Sequence, residues 1–161
     1  LALNIGGEYD FKHCTFAKYY NLASRQTPSV FINNYYEDIN GDIQYRELHK
    51  ASFGNCIIYG DNENEILFDQ LEGTNLNYLF DHCLVKMDLS VYNPEENNLF
   101  QNTIINENPF FLDENIWDFR LDSLSPALNY GKEEIANLVP YDLDGNYRLN
   151  SPDLGCFERV D

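Results

Sequence analysis

The chain of 161 residues is long enough for one domain with its own core, and 27 acidic against 10 basic residues give a net charge of −17. Nucleic-acid binding rests on clustered Lys and Arg, whereas five Lys and five Arg stand singly here from Lys12 to Arg159, so nucleic acid is not expected as a partner. With 43% hydrophobic and 15% aromatic residues the chain is too rich in core material for a disordered acidic tail, and no apolar run reaches the ~18 residues of a membrane span.

The chain opens Leu1-Ala2-Leu3-Asn4, without Met or a basic-then-apolar leader, and reads as an excised or processed piece of a longer protein. Phe11-Lys12-His13-Cys14-Thr15-Phe16 is the first copy of a hexad. It returns as Phe53-Gly54-Asn55-Cys56-Ile57-Ile58, as Phe80-Asp81-His82-Cys83-Leu84-Val85 and as Phe100-Gln101-Asn102-Thr103-Ile104-Ile105. The template is Phe, any residue, His or Asn, Cys or Thr, and two apolar or β-branched residues. Spacings of 42, 27 and 20 residues suit coils that each repeat one short strand and vary their loops, as in a parallel β-helix.

Stacked coils turn equivalent positions into ladders, here Phe11, Phe53, Phe80 and Phe100 beside Cys14, Cys56, Cys83 and Thr103. The hexad does not alternate cleanly, which predicts a bend at the His/Asn–Cys step. His13, Asn55, His82 and Asn102 then form a polar corner column that bonds to neighbouring backbone.

Between the first two hexads, Ser29 to Asn33 reads as a coil strand. Asn40-Gly41, flanked by strand-like arms, predicts a β-hairpin leaving the coil over about residues 35–50. Glu65 to Phe68 is a further strand. Past the fourth hexad the pattern changes: Phe119-Arg120-Leu121 reads as a last strand, Ser125 to Gly131 as a turn, and Lys132 to Leu138 as one or two helical turns. The Asp-, Gly- and Asn-rich end is then a cap on the open stack. The expected division is coils over 1–115 and last coil plus cap over 116–161, in one structural domain.

The chemistry expected of these residues is structural. Stacked coils place equivalent Cβ atoms about 4.8 Å apart on parallel vectors, while a disulfide wants about 3.8 Å on converging ones, so the cysteine column reads as packed thiols. His13 and His82 adjoin cysteines, but neighbouring strand residues point to opposite faces, which argues against zinc. Asp142, Asp144 and Asn146, like Asp38, Asn40 and Asp42, lack the glycine and glutamate spacing of a calcium loop and read as turns. No catalytic grouping, metal site or cofactor is expected. Tyr19, Tyr20, Tyr35, Tyr36 and Tyr45, close to the hairpin in sequence, are the candidate carbohydrate-stacking residues.

The hexads, followed by Asn108-Pro109-Phe110-Phe111, Ser125-Pro126-Ala127-Leu128, Asp142-Leu143-Asp144-Gly145-Asn146-Tyr147-Arg148 and Pro152-Asp153-Leu154-Gly155-Cys156-Phe157-Glu158, resemble the carboxyl-terminal end of bacterial right-handed parallel β-helix surface proteins. The tail resembles that of choice-of-anchor Q domain proteins, whose wider fold is shared with pectate lyases. Tyr147 stands where that tail commonly has proline. The resemblance implies a right-handed, all-β solenoid on a secreted or bacterial cell-surface protein; the lack of an active-site grouping adds the expectation of a non-catalytic scaffold and cap, with polysaccharide as the candidate partner. Two alternatives accompany it: part of a polysaccharide lyase or glycoside hydrolase with its catalytic groups in preceding coils, and an adhesin or assembly module.

Overall fold

The computed structural model describes residues 1–19, 25–94, 98–148 and 150–160. Among them the strands form three parallel sheets and two antiparallel pairs. The chain visits the parallel sheets in turn. β1 (Ala2–Leu3), β4 (Val30–Asn33) and β9 (Ile66–Asp69) make the first sheet. β2 (Gly7–Lys12), β7 (Leu48–Gly54), β10 (Leu76–Asp81) and β12 (Phe100–Gln101) make the second, and β3 (Thr15–Lys18), β8 (Ile57–Gly60), β11 (Leu84–Val85) and β13 (Ile104–Ile105) the third.

Each hexad spans the corner from the second sheet to the third. The register pairs Phe11 with Phe53, Phe53 with Phe80 and Phe80 with Phe100. The rings stack with centroids 4.8, 4.6 and 4.9 Å apart. Phe53 and Phe80 are wholly buried. The third hexad residue makes the corner by adopting the left-handed conformation: φ is 51° at His13, 54° at Asn55, 51° at His82 and 47° at Asn102. Asn is among the residues that enter this region most readily, and His is also enriched there, which explains the restricted choice at that position. The backbone ladder continues through the bend, where His13, Asn55 and His82 donate their N–H groups to the carbonyls of Gly54, Asp81 and Gln101.

After the corner, alternation resumes and divides the last two hexad positions between two cores. Ile58 and Val85 point inward to join Phe53, Phe80, Cys56 and Cys83, together with Val30, Ile32 and Ile66 of the first sheet. Ile57 and Leu84 point outward, where they meet Phe111, Leu121, Ala127 and Leu154 of the C-terminal segment.

The insertion between the first two coils is shorter than predicted. β5 (Tyr35–Glu37) and β6 (Ile43–Tyr45) pair antiparallel with Tyr35 opposite Tyr45, but residues 48–50 already belong to the parallel strand β7. The Asp38 carboxylate shapes the turn by accepting the N–H groups of Asn40 and Asp42 at 2.8 and 3.1 Å.

Two further expectations are corrected. The strand at Phe119–Leu121 is no coil strand: β15 (Asp118–Leu121) pairs antiparallel with β14 (Phe111–Asp113). A single 3-10 turn at Glu114–Ile116, capped by Asp113 and closed by left-handed Trp117, reverses the chain between them. The C-terminal segment, with its one-turn helix α1 (Glu133–Ala136), runs along the side of the stack. It touches three successive hexads through Cys156 N–H to Thr15, Gly155 N–H to the Asn55 carbonyl and Lys132 to Asp81. The physical reason lies in the outward apolar positions Ile57 and Leu84, which need covering as much as the open end does.

Candidate functional site

Among the described residues, the predicted tyrosines do not assemble into one surface. Tyr19 is half-buried and packs against Phe111 and Phe119 at 6.2 and 6.1 Å, and burial pushes its phenol above the usual range. Tyr20 lies outside the described residues. Tyr35 is half-buried and donates its hydroxyl to Asp69 at 2.8 Å. Tyr36 and Tyr45 are exposed, but Tyr36 faces Gln44 across the ribbon whereas Tyr45 faces Tyr35, so the two rings lie on opposite faces. Tyr9, from the same stretch of chain, stacks on Phe11 and bonds to the Gly6 carbonyl. On the ribbon, strand alternation sets Tyr36 apart from the cross-strand pair Tyr35 and Tyr45.

The ladder has an internal logic that explains its Cys/Thr choice. Within each coil the fourth hexad side chain donates to the carbonyl two residues before it: Cys14 to Lys12 at 3.5 Å, Cys56 to Gly54 at 3.3 Å, Cys83 to Asp81 at 3.7 Å and Thr103 to Gln101 at 3.1 Å. It also reaches the preceding coil: Cys56 to Phe11 at 3.6 Å, Cys83 to Phe53 at 3.3 Å and Thr103 to Phe80 at 3.4 Å. A small residue with one weak donor fits that place, and both Cys and Thr qualify. All four cysteines are free thiols. The neighbouring Cys56 sulfur and burial raise Cys14, and burial raises Cys56 well above the usual thiol range, which disfavours their nucleophilic thiolates.

The corner column holds the C-terminal segment. Asn55, wholly buried, accepts the Lys132 N–H on Oδ1 at 2.8 Å and donates from Nδ2 to the Lys132 carbonyl at 2.9 Å. That pairing fixes the orientation of the amide, so His13 Nε2, 2.9 Å from the same Nδ2, accepts and the imidazole proton sits on Nδ1. Burial, followed by the nearby Arg148, pulls the His13 pKa down to about 3. One coil on, Asp81 is shared by His82 Nδ1 and Lys132 Nζ, each at 2.7 Å.

Sequence reasoning missed the polar knot that closes the tail. Arg148, 5% exposed, donates to Glu158 and to the Gly155 carbonyl. Asp153 accepts the N–H groups of Asn129 and Arg159, both at 2.7 Å. Asp142 spends its oxygens on Asn146 and on the Glu158 N–H at 2.8 Å. The tail motif itself was the available signal: its Asp, Asn, Arg and Glu are the members of this knot. At Gly155, where φ is 86°, a Cβ would stand 2.6 Å from the Thr15 hydroxyl, so the tail approaches the first coil closely there.

Neither a family model nor a curated protein matches the chain. Among the described residues no helix is long and apolar enough to cross a membrane.

Proposed function

We propose that the chain is the C-terminal scaffold of an exported, bacterial cell-surface protein built as a right-handed parallel β-helix, non-catalytic in itself and in contact with carbohydrate. The carrying observation is the hexad acting as a coil unit: four copies in one register, each turning its corner through a left-handed His or Asn. Support comes also from where the buried polar groups are spent. Asn34 bonds to the Leu71 N–H, the Asn75 carbonyl and the Thr74 hydroxyl, and Asn55 to both backbone groups of Lys132, so these buried amides hold chain in place. The tail motif's resemblance to anchor-bearing surface proteins supports export. Incubation of the chain with pectin, alginate and host-type glycans is the test: no unsaturated or reducing ends should appear, and their release would overturn the non-catalytic reading. A crystal structure in which β2, β3 and β4 wind left-handed would overturn the fold assignment.

A further inference from the structure

A cavity of about 850 Å³ opens within the C-terminal segment, away from the hairpin tyrosines. Its size falls within the range of small-ligand sites, about 300–1,000 Å³. Asn129, Asn150, Ser123 and Ser151, all exposed, line it with amides and hydroxyls, while the amide nitrogen of the lining Asn146 is bonded to Asp142. Amides and hydroxyls both donate and accept, which suits a ligand covered in hydroxyl groups. Tyr147, 54% exposed, adds an aromatic ring held edge-on to Tyr141 at 5.5 Å, and Leu128 and Val160 add apolar surface. One flat apolar face beside many neutral polar groups matches a pyranose ring, whose C–H face is apolar and whose rim is polar.

The charges in the wall argue against an ionic ligand. Asp153 is 4% exposed and its carboxylate already accepts two backbone N–H groups. Glu158 accepts from Arg148 and from the Asp153 N–H, and burial raises its pKa to about 7, so part of it is neutral at neutral pH. Arg159 is the cation of the wall; it is exposed, donates to the Leu121 carbonyl at 3.4 Å and lies close enough to Asp153 to stabilise that carboxylate, so beside Asp153 and Glu158 the wall carries no excess positive charge for an anion.

The geometry points to this cavity as a binding site for a neutral oligosaccharide. The inference rests on the carbohydrate contact proposed above and gives it a place and a ligand class. Saturation-transfer NMR on the chain with cellohexaose, xylohexaose and mannohexaose, beside hexagalacturonate as a charged comparison, tests it. Transfer is expected from at least one neutral probe. Tyr147→Ala should weaken that binding about tenfold, the effect of truncating one aromatic anchor, and Ser151→Trp, which fills the cavity from an exposed position, should do likewise. The double variant Tyr36→Ala/Tyr45→Ala should leave it unchanged. Transfer from hexagalacturonate alone, or from no probe, would overturn the inference. Loss in the hairpin variant with none in Tyr147→Ala or Ser151→Trp would also overturn it, while the carbohydrate contact itself would survive on the hairpin.

Discussion

Asn55 grips Lys132 by both ends of that residue's backbone, 77 positions further along the chain, with bonds of 2.8 and 2.9 Å. The side-chain amide thus takes the part of a neighbouring strand, and it does so while its own backbone turns the coil corner at φ 54°. Asn55→Ala removes the amide and leaves the Lys132 N–H and His13 Nε2 without their partner, while the Lys132 carbonyl keeps the N–H groups of Ile135 and Ala136. Each unsatisfied buried group costs about 1–3 kcal/mol, so a loss of about 3 kcal/mol in unfolding free energy is expected. Asn55→Gly keeps the left-handed corner and isolates the amide. Urea unfolding of both variants decides the matter: a loss below about 0.5 kcal/mol in Asn55→Gly would show that the amide contributes little.

The fourth hexad position asks for a small donor. Cys56→Thr places the fourth rung's own residue on the second rung and should cost no more than about 1 kcal/mol, whereas Cys56→Val, equal in bulk but without a donor, loses the bonds to Gly54 and Phe11 and should cost about 1 kcal/mol more than the threonine variant. Equal stability of the two variants would mean that packing alone sets the choice. Cys56 and Cys83 are wholly buried, so a thiol-specific reagent at pH 8 should modify them only after denaturant is added.

His13 should make the protein acid-sensitive. Its pKa is about 3 in the folded chain against about 6.5 unfolded. Between these values the unfolded state binds more protons, so the contribution present above pH 6.5 is lost as pH falls toward 3. Glu158, raised to about 7, acts oppositely between about 4.5 and 7, because the folded state holds that proton more tightly. The two offset each other at mildly acidic pH, and the His13 loss stands out below 4.5. From pH 4.5 to 3.5 the wild type should lose about 1.4 kcal/mol more than His13→Asn, one pH unit of one proton. Equal losses in the two proteins would count against a buried neutral His13.

The parallel pairing of the hexads was legible because strands in one register ask for the same kind of side chain at every rung, which writes a repeat into the sequence. The corner was legible from broken alternation, and the bend falls at His13, Asn55, His82 and Asn102. The path of the tail was not. What positions it is Asn55 reaching Lys132 and Thr15 reaching Cys156, contacts that leave no local pattern. The reversal before Phe119 was hidden because Trp117 adopts the left-handed conformation, which a bulky residue seldom does, and because short parallel and antiparallel strands share one alternation. The placing of the tyrosines was hidden for a related reason: neighbours in sequence alternate across a ribbon, and only the register shows that Tyr35 and Tyr45 share a face that Tyr36 does not.

Glu65 marks the second place where one buried side chain organises distant chain. It is wholly buried; Oε2 accepts the N–H and hydroxyl of Ser29, each at 2.8 Å, and Oε1 accepts the Asn62 N–H at 2.9 Å and the Arg25 guanidinium. Arg25 also donates to the Lys18 and Thr27 carbonyls, so the group ties together the end of β3, the approach to β4 and the turn before β9. Space for it comes from Gly60, where a Cβ would stand 2.4 Å from Glu65 Oε1. Glu65→Gln keeps the shape but leaves a buried guanidinium without its counter-charge, a change that costs about 3–5 kcal/mol. Gly60→Ala pushes on the same carboxylate and should cost about 1–3 kcal/mol through overpacking. Because both variants act on one group, the double variant should lose less than the sum of the singles in urea unfolding. Strict additivity would show that Gly60 and Glu65 act independently.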